Sequence, residues 1–287
     1  MFKRQTTGSI VCPSCGQLIS VTNTRCPHCG RKNPSLWGYG KAFRKLGQDL
    51  GFTRIVIIGC ISLYLITLLF DIPGIQSNGV RNLLSPSPSS LFVFGSTGAI
   101  PIFVYGRWWS IFTSGWLHGS LIHIAFNLVW LKELMPVVGK AYGAGRLMII
   151  YIFSGMASSL ITSSVAYYLN DILPPILNGA QLSIGASGSV FGLFGALVAY
   201  GQMTSNIGIT QKYWNYSIVL FLISFIFPGI DNWGHLGGFV GGYFICFLPW
   251  LNPQKREAQI HLLVGLACIS ITFLSIIISV IHSLQFL

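Results

Sequence analysis

The chain has 287 residues, of which 52% are hydrophobic and only 8% charged. A soluble domain carries roughly a quarter charged residues, so this composition excludes an ordinary water-soluble globule and points to a bilayer. The formal charge of +11 raises nucleic acid as a partner, but the placement of the cations, set out below, argues against it.

The first chemical signal is N-terminal. Cys12-Pro13-Ser14-Cys15-Gly16 and Cys26-Pro27-His28-Cys29-Gly30 are two C-x-x-C knuckles, each followed by glycine. Two thiolates separated by two residues reach one tetrahedral ion from a tight turn, and the glycines permit the backbone this needs. Cys12, Cys15, Cys26 and Cys29 are therefore expected to hold a structural zinc ion in a small ribbon over residues 1–35. Four thiolates close the shell, leave no position for catalysis and make His28 unnecessary. Residues 36–52 form a basic linker, with Lys41, Arg44 and Lys45 suited to an anionic membrane surface.

Apolar runs follow at 53–70, 120–139, 147–169, 187–203, 213–228, 234–251 and 260–283, read as seven membrane-spanning helices. The expected fold is an all-α polytopic membrane protein: a six-helix domain over 53–251 and a seventh helix within 252–287. The first fifty residues contain no apolar signal-peptide core, so the first span is expected to act as its own targeting signal. Fifteen of the seventeen lysines and arginines fall before or at the first span, at the ends of spans two, four and six, or in the loops that follow them; only Arg81 and Arg107 fall on the other side. That asymmetry places the N-terminus in the cytoplasm and the C-terminus outside. It also puts the cysteine module in a reducing compartment, against a disulfide reading.

His118, His123, Asn127, Ser187 and His235 lie near the starts of spans two, four and six, and Glu133 lies deeper in span two. With the N-terminus inside, even-numbered spans all begin at the outer face, so the first five share one side of the membrane. Serine is a weak nucleophile unless a base takes its proton, which pairs Ser187 with His235. Gly188, Gly192 and Gly195 on one helix, and Gly234, Gly238 and Gly242 on the other, allow the two to approach closely enough for about 3 Å between hydroxyl and imidazole. His123 and Asn127 are one turn apart and offer N–H donors to an oxyanion, as does the backbone N–H of Ser187. Taken singly, a serine beside glycine packs helices and Asn127 bonds a neighbouring helix. The set carries the argument.

Three segments, Trp116-Leu117-His118-Gly119-Ser120-Leu121-Ile122-His123-Ile124-Ala125-Phe126-Asn127, Gly185-Ala186-Ser187-Gly188 and Gly234-His235-Leu236-Gly237-Gly238, together resemble the rhomboid intramembrane serine proteases. The resemblance runs over roughly residues 50–251. It implies a rhomboid-like bundle with Ser187 as nucleophile, His235 as general base, and His123 with Asn127 as side-chain oxyanion donors. It also implies a supporting role for His118 and packing of Phe191 on the His235 imidazole. The family's arginine after the paired tryptophans is absent: Ser110 follows Trp109, and the nearest arginine is Arg107. Asp231 or Asn232 is read as the N-cap of span six, rather than Asp231 as a third catalytic member, and His261 and His282, in or at the end of the extra helix, are not expected to be catalytic. No cofactor is needed for the chemistry.

The function implied is cleavage of transmembrane protein substrates within a lipid bilayer, with the bacterial cell membrane as the expected location. The alternative is an inactive rhomboid-like scaffold that binds client proteins while the zinc ribbon recruits a cytosolic partner. A transporter is disfavoured, since no broken helix carries paired charges at midplane.

Overall fold

A computed structural model describes residues 4–12, 17–39, 47–227 and 229–285. Cys15, Lys3 and the linker residues Lys41, Arg44 and Lys45 lie outside the described residues. The chain starts with a short antiparallel hairpin, β1 (Ser9–Val11) and β2 (Leu18–Ser20), in which Ile10 pairs with Ile19. The period-two alternation buries both isoleucines, and Val21, Cys12 and Cys26 complete a small separate core.

Seven long helices then occupy the seven apolar stretches. They are α1 (Phe52–Phe70), α4 (Leu121–Tyr142), α5 (Ala144–Tyr168), α6 (Ser187–Met203), α7 (Ile207–Ile226), α8 (Asn232–Ile245) and α9 (Gln259–Leu284), with short helices α2 (Pro88–Phe94) and α3 (Ser110–Thr113) in the connection after α1. Among the described residues α1, α4, α5 and α9 are long and apolar enough to cross a membrane by themselves. The 17 residues of α6 and 14 of α8 rise only about 26 and 21 Å, short of the roughly 30 Å hydrocarbon core. Helix α6 sits inside the bundle: it packs against α4, α5, α7 and α8, and 13 of its residues are buried. By contrast α7 buries only Tyr213, Ser217 and Ser224.

Two boundaries differ from the apolar pattern by six residues. Helix α7 starts at Ile207 rather than 213, because Asn206 caps it by accepting from the Ile209 N–H at 3.1 Å, and its first turns include the polar Thr210, Gln211 and Lys212. Helix α8 stops at Ile245 rather than 251. Pro249 disfavours the helical conformation at Leu248, and the chain turns out through Trp250, whose carbonyl lies 2.7 Å from His261 Nε2. The N-terminus of α5 is capped across the sequence by Glu257, whose carboxylate accepts from the Gly145 N–H at 2.7 Å and the Arg146 N–H at 3.1 Å.

The closest contact in the bundle joins α6 to α8. A β-carbon on Gly238 would overlap the Gly188 carbonyl, and one on Gly242 the Gly192 carbonyl. Only hydrogen at these positions lets the two backbones touch, which brings the start of α6 against the start of α8.

Candidate active site and metal centre

Ser187 opens α6, and the turn before it is fixed by Gly185, whose φ of +121° favours glycine. The Gly185 N–H donates to the Ser114 carbonyl at 2.9 Å. A β-carbon at Gly185 would lie 2.6 Å from His123 Nε2 and 3.7 Å from Ser187 Oγ, so the bare glycine is flanked by the candidate nucleophile and the candidate oxyanion donor.

His123 lies in the first turn of α4, which Ser120 caps by accepting from the His123 N–H at 3.3 Å. Its Nδ1 accepts from the Gly119 N–H, also at 3.3 Å. In the neutral ring the proton is then assigned to Nε2, the nitrogen that faces Gly185. Asn127, 2% exposed, donates from Nδ2 to the His123 carbonyl at 2.9 Å, which uses one of its two amide hydrogens. His118, in the preceding loop, is fully buried with its ring 5.2 Å from that of His123. Burial pushes its imidazole well below the usual histidine value.

His235 sits in the first turn of α8, stacked on Phe191 with ring centroids 4.3 Å apart and planes at 15°. Gly188, next to Ser187, faces the carbonyl of Gly234, next to His235, with 3.6 Å from an added β-carbon to that oxygen. The helix crossing therefore joins the immediate neighbours of the two residues. Among the described residues no hydrogen bond links Ser187 to His235, and the buried His235 Nδ1 has no partner. Hydrogen bonds of this kind often tighten only with substrate present.

Asp231 caps α8 as the sequence indicates, accepting from the Gly234 N–H at 2.8 Å. It also accepts from the Thr162 hydroxyl at 2.7 Å and the Ser183 hydroxyl at 2.6 Å. Burial raises its carboxyl above the usual range, and these three donors oppose the shift. Its backbone carbonyl, not its carboxylate, meets His235, by accepting the His235 N–H at 3.0 Å. The bonds to Thr162 and Ser183 left no local trace in the sequence, since the partners are 69 and 48 residues away.

At the other end of the chain, the sulfurs of Cys12, Cys26 and Cys29 lie within 4.8 Å of one another, with Cys12 Sγ and Cys29 Sγ 3.8 Å apart. Bonds of about 2.3 Å in a tetrahedral Zn–S₄ site give S–S edges of about 3.8 Å, which the Cys12–Cys29 pair matches, with Cys26 within 4.8 Å of both. The knuckle turns are closed by Cys12 N–H to the Gln17 carbonyl at 2.8 Å, and by Cys26 N–H to the Arg31 carbonyl and Gly30 N–H to the Cys26 carbonyl, both at 2.9 Å. His28 is not in the cluster.

Apolar helices arranged in this way, with serine, histidine and asparagine gathered where α4, α6 and α8 begin, define an integral multi-pass membrane protein with a candidate hydrolytic site. The rhomboid domain profile matches residues 105–252, just over half of the chain. The chain belongs to the rhomboid family. It is similar to the rhomboid protease GluP of Bacillus subtilis, 32% identical over 191 residues covering 64% of this chain and 35% of that protein. It is also similar to the rhomboid protease AarA of Providencia stuartii, 28% identical over 261 residues and 86% of each chain. A third relative, the inactive RHOMBOID-like protein 8 of Arabidopsis thaliana, is 31% identical over 187 residues, 63% of this chain and 50% of its own. The chain spans about half the length of the plant relatives it matches.

Proposed function

We propose that this chain is an intramembrane serine endopeptidase that cleaves transmembrane segments of other membrane proteins. The observation that carries this reading is the pair of contacts around Ser187: His123 Nε2 and Ser187 Oγ flank Gly185, and His235 stacks on Phe191 one turn along α6. The relatives named as rhomboid proteases support it.

In this mechanism Ser187 Oγ attacks the scissile backbone carbonyl while His235 takes the hydroxyl proton. The oxyanion receives the Nε2–H of His123, the free amide hydrogen of Asn127 and the backbone N–H of Ser187. His235 then gives its proton to the leaving amine, and water hydrolyses the acyl-enzyme with His235 again as base. Asp231 takes no proton in this scheme; it holds the start of α8. A membrane helix hides its carbonyls in its own hydrogen bonds, so substrates must unwind locally at small or polar residues. We assign the N-terminus to the cytoplasm and the C-terminus to the outer side of a bacterial cell membrane, from the fifteen-to-two cation asymmetry. Cys12, Cys15, Cys26 and Cys29 hold one structural zinc ion, which fixes the ribbon and takes no part in hydrolysis.

The relative named inactive favours a second reading, a client-binding scaffold whose ribbon recruits a cytosolic partner. The two separate in liposomes containing a single-span substrate with a Gly/Ser-rich outer segment. Wild-type protein should cleave it, and Ser187→Ala and His235→Ala should each reduce cleavage by at least about 10³-fold. Equal cleavage by wild type and both variants would sink the dyad; client binding without cleavage would favour the scaffold.

A further inference from the structure

Helix α9 lies beyond residue 252, outside the segment matched to the rhomboid domain, yet it anchors the wall of the candidate site. Arg107 is fully buried, with its guanidinium 4.1 Å over the Phe92 ring. Its Nη2 donates to the hydroxyl of Ser279 at 3.1 Å, to the Ser279 carbonyl at 3.2 Å and to the Val93 carbonyl at 3.4 Å. The indole N–H of Trp109 donates to the same Ser279 hydroxyl at 2.9 Å, and the Trp109 ring packs edge-on against His282 at 5.1 Å. Both acceptor positions of one hydroxyl in α9 are thus used by two residues of the outer connection. The backbone also fits closely there: a β-carbon on Gly95 would come 2.7 Å from Ser279 Oγ.

From Trp109 the contacts run to the segment that leads into the candidate nucleophile. Helix α3 begins at the next residue, where the Ser110 hydroxyl donates to Thr97 Oγ1 at 3.2 Å; at the end of α3 Thr113 donates to the Gly95 carbonyl. Thr97 and Ser183 exchange two backbone hydrogen bonds, of 3.0 and 2.6 Å. One residue past α3, the Ser114 carbonyl accepts the Gly185 N–H. The segment clamped to Ser279 therefore supports both Ser183 and Gly185, the stretch that leads into Ser187.

We propose that Ser279 is a positioning residue for the hydrolytic site: by fixing Arg107 and Trp109 to α9 it holds the backbone at Gly185, and so the presentation of Ser187 Oγ and its N–H to the scissile carbonyl. This rests on the endopeptidase reading. Losing the hydroxyl leaves the Trp109 N–H unpaired and Arg107 with only its two carbonyl acceptors, so α9 stays docked while the clamp loosens. A displacement well under 1 Å at a reacting centre is enough to slow chemistry without altering substrate binding.

The test uses full-length protein in liposomes with the single-span substrate, comparing wild type, Ser279→Ala and Ser279→Thr. Ser279→Ala should lower kcat about tenfold with KM unchanged, and Ser279→Thr, which keeps the acceptor, should return to within about twofold. Hydrogen–deuterium exchange without substrate should speed up in Ser279→Ala for peptides covering 105–118 and 180–187. If Ser279→Ala does not fold, Trp109→Phe removes one donor while keeping a ring and serves the same readouts. Unchanged kcat, or a loss carried wholly by KM, overturns the proposal. If wild type cleaves nothing, the endopeptidase reading fails on its own; exchange then decides whether α9 holds the Gly185 segment, and unchanged exchange overturns that as well.

Discussion

Asp231 organises more of the site than any other acidic side chain, through a peptide N–H and two hydroxyls contributed by three different parts of the fold. Replacing it with alanine removes an N-cap, about 1 kcal/mol, and leaves the Thr162 and Ser183 hydroxyls short of an acceptor, for about 2–3 kcal/mol in total. Asp231→Asn keeps an acceptor oxygen and should cost less. Thermal unfolding in detergent is expected to rank wild type above Asp231→Asn above Asp231→Ala; equal midpoints would show that the cap is not needed. The capping role could be read from the sequence because a cap is a local pattern. The bonds to Thr162 and Ser183 could not, since they depend on how α5 and the loop before α6 pack. The same holds for Arg107: the absence of an arginine after Trp109 was visible, but the bond from buried Arg107 to a serine 172 residues away was not.

Among the helices, the decisive contact is the glycine seam between α6 and α8. A side chain at Gly238 must push against the Gly188 carbonyl, so Gly238→Val should separate the helices, part His235 from Phe191 and destabilise by about 1–3 kcal/mol. Gly208, exposed on α7 with only the Asn206 side chain within 4 Å of an added β-carbon, is the control. Gly208→Ala should unfold at the wild-type temperature or slightly above it, through better helix propensity. A seam variant as stable and active as this control would contradict the packing account. All seven helices were legible as apolar stretches, and the glycine spacing announced the seam. Their ends were less legible: a polar but helical turn hid the start of α7, and an apolar but non-helical turn at Pro249 extended the apparent end of α8.

On the scale of the whole molecule, the chain joins a small cysteine-bearing hairpin to an apolar helical bundle. The spacing of Cys12, Cys15, Cys26 and Cys29 pointed to a metal from the sequence, and the three of them among the described residues, Cys12, Cys26 and Cys29, lie together. Purified protein should contain about one zinc ion per chain, lost in a Cys12→Ser/Cys15→Ser double variant; elemental analysis finding no zinc in folded wild type would remove the metal from the account. Short local motifs pointed to the candidate site, whereas the brace proposed from α9 depends on tertiary packing that no motif records. The central claim, an activated Ser187, is tested most directly by labelling purified detergent-solubilised protein with a serine-directed phosphonate, comparing wild type with Ser187→Ala and His235→Ala. The account predicts labelling of wild type at Ser187 that disappears in both variants. A folded wild-type protein that takes up no label, or labelling that survives in either variant, would contradict it.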